Sequence, residues 1–521
     1  MNQASAPEVS GAPGAKVSAD SARRAGRGVL SIAGSKVWFL IVGYAAQLLL
    51  PRLLGSPEAF GLFSTALSFV SILNNVMVGA TIQVVSKHVS EAPERAQQTL
   101  RQGLEIQAAL GLLLAGLLFS TAPLLASNVL LDPMLTPLFR LAAAVVLAYA
   151  LYTAFVGALN GQQKFRTQAR FDMVYTTMRS GGMIGAAALG FGAVGVFYGF
   201  VLASWLVVIA SVVVVGLGKS GERAPIKSWI AFMAPLWLYQ LCLNLIMQVD
   251  TTLLKRTVAA LMQASGSDFA AAAETASRYV GFYRAAQTFA FVPYQLIMPV
   301  PLVIFPMISQ ALSLGDEAAA ARYIRAALRF SLLVLLAVAA PTAGAAKGVM
   351  MLVYPAAYAA GAPALAVLGL AMVCLALFVS SATIMTGAGR PGLAAAVAAL
   401  AVVCVVGGNI GFVSYVGVGE HTLLAAALGT ASGTLLAVVL MGYAVYSRFG
   451  GFIAPLSVLR ALAAATASYF AAHALASGGK LQTLLAAAAG ALTFLVSLIA
   501  LRELTRTDLD AVLGMVRKKR A

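Results

Sequence analysis

Apolar segments of about 20 residues recur along the whole chain, and a helix needs ~20 such residues to cross a bilayer. The first two, Val29–Leu53 and Phe60–Ser86, are separated by a short hinge that contains prolines and glycines. The chain is 60% hydrophobic and only 10% charged, whereas roughly a quarter of the residues in soluble domains are charged. The sequence therefore predicts an all-α polytopic membrane protein.

We predict about fourteen transmembrane helices from hydropathy. Their approximate bounds are Val29–Leu53, Phe60–Ser86, Leu104–Leu125, Leu135–Leu159, Phe171–Phe191, Val194–Leu217, Trp229–Leu254, Tyr279–Ile308, Tyr323–Ala345, Ala364–Thr386, Leu393–Tyr415, Thr422–Tyr446, Leu456–Leu475 and Leu481–Leu501. Lysines and arginines concentrate in alternate loops, which places both termini in the cytoplasm by the positive-inside rule. The main exception is the connection between the seventh and eighth spans, with Lys255, Arg256 and Arg278 on the other side.

Three short motifs, each weak alone, recur in the same order about 220 residues further on, which indicates an internal duplication. Phe60-Gly61-Leu62-Phe63 recurs as Val280-Gly281-Phe282-Tyr283, and Leu100-Arg101-Gln102 recurs as Ile324-Arg325-Ala326. Asn160-Gly161-Gln162-Gln163-Lys164 recurs more loosely as Thr386-Gly387-Ala388-Gly389-Arg390. Each copy holds six spans, an even number, so both copies insert in the same orientation as a parallel repeat. The predicted organisation is a disordered cytoplasmic N-terminus (1–28), a six-helix bundle (29–217), a cytoplasmic linker (218–228), a second six-helix bundle (229–447), two additional transmembrane helices (448–502) and a basic cytoplasmic tail (503–521).

The formal net charge of +17 has two explanations. The positive-inside bias and anionic lipid headgroups account for most of it, and an anionic substrate drawn to basic residues in a cavity is the alternative. Nucleic acid is not an expected partner, because the basic residues are scattered over short loops.

Several motifs are set aside as sites. Gly387–Gly392 fits a dinucleotide-binding pattern but joins two membrane spans without a strand. The histidines His88, His421 and His473 lack metal-ligand spacing, and the three cysteines lie in apolar spans. No phosphate-binding loop for ATP occurs in the sequence, so we expect no cofactor and no metal, and a protein that is not an enzyme.

Polar residues inside the apolar spans mark candidate sites. On the first span they share one helical face, and the second, seventh and eighth spans carry similar stripes. The candidates for substrate binding are Lys36, Tyr44, Gln47, Asn75, Arg179, Gln240, Asn244, Gln248, Arg284 and Gln287. Amides, hydroxyls and aromatic rings suit sugars, and a cation suits a pyrophosphate.

Each candidate also has a structural explanation. An amide in a membrane helix often makes an interhelical hydrogen bond, and Lys36 could extend to the headgroups. Arg179 lies nearest to the middle of a span, where a charge is most costly. Asp172 and Asp250 are the acids available for proton or cation coupling, or as partners for an arginine.

The hinge sequence Leu50-Pro51-Arg52-Leu53-Leu54-Gly55-Ser56-Pro57-Glu58-Ala59-Phe60-Gly61-Leu62-Phe63 resembles the signature near the start of polysaccharide (Wzx-type) flippases. Their superfamily also includes multidrug extruders and lipid II flippases. Asp250–Leu254 and Val280–Ala286 are similar to that family's seventh and eighth helices. The chain departs from the pattern in a longer, Ala-rich connection, Val258–Ser277, which suggests a short external helix.

The resemblance implies a V-shaped pair of bundles around a central cavity lined by the first, second, seventh and eighth helices. It implies a substrate that is a polysaccharide repeat unit on polyprenyl pyrophosphate, flipped across the bacterial inner membrane. Partners would be this glycan lipid, membrane lipids, and a polysaccharide polymerase with its chain-length proteins. The alternatives are a multidrug or small-molecule antiporter, a lipid II flippase, and a scaffold that binds such lipids or partner enzymes without transport.

Overall fold

The computed structural model describes residues 19–298, 307–308, 310–311, 314–476 and 479–504, with side chains from residue 34 onward. The described chain contains fifteen α-helices. They are α1 (Ala19–Leu53), α2 (Pro57–Glu91), α3 (Ala96–Leu124), α4 (Leu135–Gly161), α5 (Phe165–Ala188), α6 (Gly192–Val215), α7 (Ile226–Ala264), α8 (Phe269–Ile297), α9 (Glu317–Gly344), α10 (Ala346–Val353), α11 (Ala362–Gly387), α12 (Pro391–Val416), α13 (Thr422–Phe449), α14 (Pro455–Leu475) and α15 (Lys480–Ala500).

All of these helices except α10 have at least 21 residues, and they correspond to the fourteen predicted spans. Twelve are long and apolar enough to cross a membrane. The other two, α5 and α8, are less apolar because they carry charged residues, among them Arg179 and Arg284. The prediction of an all-helical, multi-pass membrane protein is confirmed.

The hinge between α1 and α2 follows from its turn residues. Gly55 adopts a positive φ of 77°, a conformation that glycine reaches without a steric penalty. Ser56 then caps α2, since its Oγ accepts a hydrogen bond from the Ala59 N–H at 3.1 Å. Pro57 occupies the first turn, where its missing N–H is not needed. The hinge is therefore a tight, well-capped turn between two long helices.

Three predicted boundaries change. The predicted external connection 258–277 is wrong, because its alanine-rich ends extend α7 and α8 and leave only residues 265–268 between them. Residues 19–28, assigned above to a disordered terminus, belong to α1, whereas residues 1–18 lie outside the described part. The eighth helix ends at Ile297, and much of its predicted remainder, to Ile308, also lies outside the described residues.

The helices pack in the same pattern in both halves of the chain. In the first half, α1 packs on α5, α2 on α4, α3 on α4, α4 on α6, and α5 on α6. The second half repeats these contacts in order: α7 packs on α12, α8 on α11, α9 on α11, α11 on α13, and α12 on α13. Helices α1–α6, here called the N half, and α7–α13, the C half, are therefore related as a parallel repeat.

The last two helices, α14 and α15, pack on each other and on α9. A buried carboxylate just after α15 fixes this arrangement. Glu503 accepts a hydrogen bond from Arg329 Nε at 2.8 Å, and Arg460 lies 3.5 Å away. Burial alone would raise the pKa of Glu503, but the hydrogen bonds from Arg329, Ser457 and Arg460 hold this pKa below its usual value.

Candidate functional site

The two halves meet along α2, which packs against both α7 and α8, whereas α1 touches α8 over a much shorter stretch. At the middle of this seam, Asn75 Nδ2 donates a hydrogen bond to Asn244 Oδ1 at 2.7 Å. Asn244 in turn donates to the Gln240 carbonyl at 2.8 Å, and the Gln240 side chain lies against Gly79. Three predicted site residues therefore meet here, and they join the halves.

A second group of polar residues, called here the C-half network, is buried between α7, α8 and α13. Arg284 donates from Nη1 to Gln248 Oε1 and to Gln287 Oε1, each at 3.0 Å. Gln287 Nε2 donates to Asp250 Oδ2 at 2.8 Å. Gln287 therefore bridges Arg284 and Asp250, and four predicted site residues form one connected cluster.

Asp250 is completely buried and has several donors around its carboxylate. Its Oδ2 accepts from the Tyr283 hydroxyl and the Thr430 hydroxyl, each at 2.9 Å, in addition to Gln287. Its Oδ1 accepts from the Thr251 N–H at 2.7 Å. Protein groups thus satisfy this carboxylate, as a buried charge requires.

The third group lines a cavity of about 320 Å³ in the N half, between α1, α2, α4 and α5. We call it the N-half cavity. The predicted site residues on its wall are Lys36, Asn75, Asp172 and Arg179. Two cations, a carboxylate and an amide therefore share one space with tyrosines from α4 and α5.

Arg179 is held mainly by aromatic rings. Its guanidinium lies 5.5 Å from the ring centre of Phe39, 5.9 Å from that of Tyr175 and 5.7 Å from that of Phe200, distances at which a cation and an aromatic face attract. Its Nε is buried and has no hydrogen-bond partner among the described residues. The rest of the guanidinium donates hydrogen bonds to the Tyr149 and Tyr175 hydroxyls. A buried donor without a partner is costly, so Arg179 retains one donor, Nε, for an anion.

Asp172 in the same cavity is less completely satisfied than Asp250. It accepts one side-chain hydrogen bond, from the Tyr152 hydroxyl at 3.2 Å. Tyr175, one turn further along α5, donates to Tyr149 at 2.6 Å. The N-half cavity therefore combines a half-buried acid, two cations and three tyrosines.

The two remaining candidates lie on α1. Tyr44 is half-buried and near Arg284 across the gap between α1 and α8. Gln47 Oε1 is buried and has no partner in the described structure. The ten candidates for substrate binding thus separate into the seam, the C-half network, the N-half cavity and this pair.

At the hinge end of the molecule, where residues 51–61 lie, ion pairs join the halves. Lys255 Nζ is fully buried and lies 2.6 Å from Asp132 Oδ2 and 2.8 Å from the Ala273 carbonyl. Arg278 pairs with Glu58. These contacts explain the basic residues that depart from the positive-inside pattern, because Lys255 and Arg278 are each neutralised by an acid of the N half. Sequence reasoning missed these pairs because their partners are distant in the chain.

At the opposite end, the linker of residues 216–225 is fastened to α3. Gln102 Nε2 donates to the Ala224 carbonyl at 2.6 Å, and its Oε1 accepts from the Ala224 N–H at 2.9 Å. His88 at the end of α2 stacks on Trp229 at the start of α7, with ring centres 4.8 Å apart. The halves are therefore in contact at both ends, and the N-half cavity lies between them.

Thr430 is the member of the C-half network that sequence reasoning missed, because its span consists mostly of Ala, Leu, Val and Gly. The spacing of Thr430 and Thr434, four residues apart on one helical face, is the signal that could have found it. Metal binding has no support in the described residues, which contain no group of three or more His, Cys, Asp or Glu side chains able to hold an ion.

Several proteins of known structure share this architecture. The structure is similar to that of the lipid II flippase MurJ in an inward closed conformation, with a TM-score of 0.74 and 14% identity, over 91% of this chain and 99% of that chain. It is also similar to a multidrug resistance MATE family transporter of the MOP superfamily. The inward-facing form gives a TM-score of 0.64 at 16% identity over 79% of this chain and 94% of that chain. The outward-facing form gives a TM-score of 0.57 at 16% identity, over 81% of this chain and 95% of that chain.

At these identities the likeness establishes the fold alone, which this chain shares with MurJ and the MATE family transporter. A comparison with curated proteins finds no match. The family model described as polysaccharide biosynthesis protein matches residues 25–312, more than half of the chain. The protein belongs to the polysaccharide biosynthesis protein family.

Proposed function

We propose that this protein flips an oligosaccharide repeat unit, linked to polyprenyl pyrophosphate, from the cytoplasmic to the outer face of the bacterial inner membrane. The observation that carries the proposal is the N-half cavity, which brings Lys36 and Arg179 together within a membrane-spanning bundle. A charged side chain inside a bundle, such as Arg179, is expensive and marks a pathway. A pyrophosphate group is an anion that two cations lining one cavity suit.

The uncharged groups of the same cavity support a glycan. Tyr149 and Tyr152 present rings and hydroxyls, and Asn75 presents an amide, which together can pack against sugar faces and bond sugar hydroxyls. The polyprenyl tail remains in the bilayer during this exchange. Transport proceeds by alternating access, in which the contacts at the linker end and those at the hinge end open in turn.

The orientation follows from the loop charges. The linker end, with both termini, faces the cytoplasm, and the hinge end faces outward. Domain boundaries near residues 217, 229 and 448 separate two six-helix bundles and an additional helix pair in this proposal. A polysaccharide polymerase and chain-length proteins are the proposed partners, since they act on the flipped unit.

Asp172 is the better of the two acids for proton or cation coupling. It lies on the wall of the N-half cavity, whereas four protein donors surround Asp250. Asp250 is accordingly assigned a positioning role for Gln287 and Arg284.

Gene deletion followed by analysis of lipid-linked glycans tests the proposal. We expect a polyprenyl-pyrophosphate oligosaccharide to accumulate in the inner leaflet, and wild-type protein to restore its export. Complementation with Arg179→Gln should fail, whereas Arg140→Gln, an exposed arginine on α4 that contacts Phe119, should restore export. Normal export with Arg179→Gln would contradict the role of the cavity.

The similarity to MurJ over nearly its whole length favours lipid II as a second candidate substrate. The same experiment separates the candidates, because lipid II rather than an oligosaccharide unit would then accumulate. A multidrug antiporter, suggested by the MATE transporters, would instead show drug sensitivity after deletion and no accumulated glycan lipid.

A further inference from the structure

A large apolar groove lies on the outer side of the C half, away from the seam and both polar clusters. It has a volume of about 760 Å³ and is bounded by α9, α11, α13 and α14. Its floor is made of buried leucines such as Leu332, Leu336 and Leu377, and Val439 and Tyr443 on its rim are exposed. Since apolar cavities exclude water, only hydrocarbon can fill this groove in a bilayer.

One end of the groove is basic. Arg325 lines the mouth of the groove at the linker end and is exposed. Among the described contacts, its Nε donates only to the carbonyl of Ala321 in its own helix, at 3.3 Å. Two other arginines of this region are already engaged, since Arg448 pairs with Glu317 and Arg329 with Glu503. Arg325 is therefore a cation without a carboxylate partner in the described structure, at the depth of the lipid headgroups.

The start of α14 adds to the positive potential at this mouth. Its first residue, Pro455, lines the groove, and Ala454 before it provides no side-chain cap for the first turn. Free N–H groups at a helix start carry a partial positive charge. The groove and Arg325 are the primary observations, and this helix end reinforces them.

We propose that the groove holds one resident anionic phospholipid of the cytoplasmic leaflet, with an acyl chain on the leucine floor and its phosphate at Arg325. Basic pockets between transmembrane helices on the cytoplasmic side bind anionic headgroups. The site goes beyond the proposed transport function and uses none of its residues. It also gives the additional helix α14 a role, because α14 forms one wall of the groove.

The test is native mass spectrometry of the purified full-length protein titrated with phosphatidylglycerol or with phosphatidylcholine of the same acyl chains. We expect one phosphatidylglycerol to bind in preference to phosphatidylcholine. Arg325→Gln should weaken that binding by about fivefold. Val439→Trp, which obstructs the groove from its rim, should abolish it.

Matched controls lie on the same helices. Arg322→Gln removes an exposed arginine outside the groove, and Leu428→Trp enlarges an exposed residue of α13 outside it; both should bind phosphatidylglycerol like the wild type. Equal binding of the two lipids, or an equal loss in Arg322→Gln, would overturn the proposal. Displacement of phosphatidylglycerol by an equimolar amount of polyprenyl phosphate would also overturn it, by assigning the groove to the substrate tail. No glycan is present, so the result does not depend on the transport proposal.

Discussion

The N-half cavity and the C-half network contain similar residues in opposite states. Each has an arginine, an acid and several tyrosines or amides, yet protein groups satisfy Asp250 and Arg284, whereas Asp172 has one side-chain donor and Arg179 Nε has no partner in the described chain. A satisfied buried cluster stiffens a fold. An unsatisfied one beside a cavity is suited to a ligand.

The duplication makes this difference informative. Helices α5 and α12 occupy equivalent positions, because α1 packs on α5 as α7 packs on α12. Helix α5 carries Asp172, Tyr175 and Arg179, whereas α12 is almost entirely apolar and has Asn409 as its main polar residue. The two copies have therefore diverged in polarity at the position where the N half has its cavity.

The largest expected contrast is in stability, between the two acids. Asp250→Ala removes the buried carboxylate that accepts hydrogen bonds from Tyr283, Gln287 and Thr430, and we expect the unfolding free energy to fall by about 3 kcal/mol or more. Asp172→Ala removes one hydrogen bond at a cavity wall and should cost ~1 kcal/mol. Thermal unfolding in detergent measures both. Equal losses would remove the distinction between the clusters.

For transport, in contrast, we expect the larger loss in the N-half cavity, at Arg179, and not in the C-half network. Arg179→Gln should reduce flipping of the lipid-linked oligosaccharide in proteoliposomes by about tenfold or more, because a charge-assisted bond to the ligand is lost, while the unfolding temperature changes little. Arg284→Gln should lower the unfolding temperature, since it loses charged bonds to Gln248 and Gln287. An Arg284→Gln variant with the wild-type unfolding temperature, together with an Arg179→Gln variant that still flips the lipid, would contradict this contrast.

Glu503 belongs to a third cluster whose hydrogen bonds are satisfied by protein groups, and its carboxylate can be protonated when the pH falls. Because the folded-state pKa of Glu503 is depressed, its contribution is present above the unfolded pKa and is lost as the pH falls through the folded value. We expect acidification to destabilise the wild type more than Glu503→Gln, by ~1 kcal/mol given the partly exposed arginines. Unfolding measured at pH 7 and at successively lower pH tests this, and parallel curves for the two proteins would contradict it.

The smallest expected effect is at the seam. Asn75 and Asn244 share one interhelical hydrogen bond, which is worth ~0.6 kcal/mol on average in membranes. A double-mutant cycle with Asn75→Leu and Asn244→Leu should give a coupling energy near that value. A much larger coupling would mean that the seam, and not only the ion pairs at the hinge end, holds the halves together.

Much of the fold could be predicted because hydrophobicity reports directly on membrane spans. Three weak motif matches in the same order, among them the one around Gly61 and Gly281, together indicated the repeat, whereas the Val258–Ser277 connection was misjudged. There, alanine favours helix regardless of whether the segment lies in lipid or in water, so composition could not locate the helix ends.

The site was less predictable because a polar side chain on a helical face does not show which residue of another helix it will contact. Gln248 and Arg179 are both candidates for a ligand in the sequence, yet Gln248 accepts a hydrogen bond from Arg284 and Arg179 faces a cavity, as its mid-span position suggested. Lys255 and Asp132 are separated by 123 positions, and only the packing of the two halves brings them together.

The crossing of α2 and α8 at the hinge end has a consequence for how the molecule opens. Gly61 and Gly281, equivalent positions of the repeat, each lie against the backbone of the other helix, so closely that an added Cβ would sit 1.7 Å from the Ser277 oxygen or 2.1 Å from the Pro57 oxygen. The helix backbones therefore touch directly at these two glycines, and the apolar contact across the halves comes from neighbouring rings such as Phe60 on Tyr358. Opening on this side separates these rings as well as the ion pairs, and added salt should weaken mainly the partly exposed pair of Glu58 and Arg278.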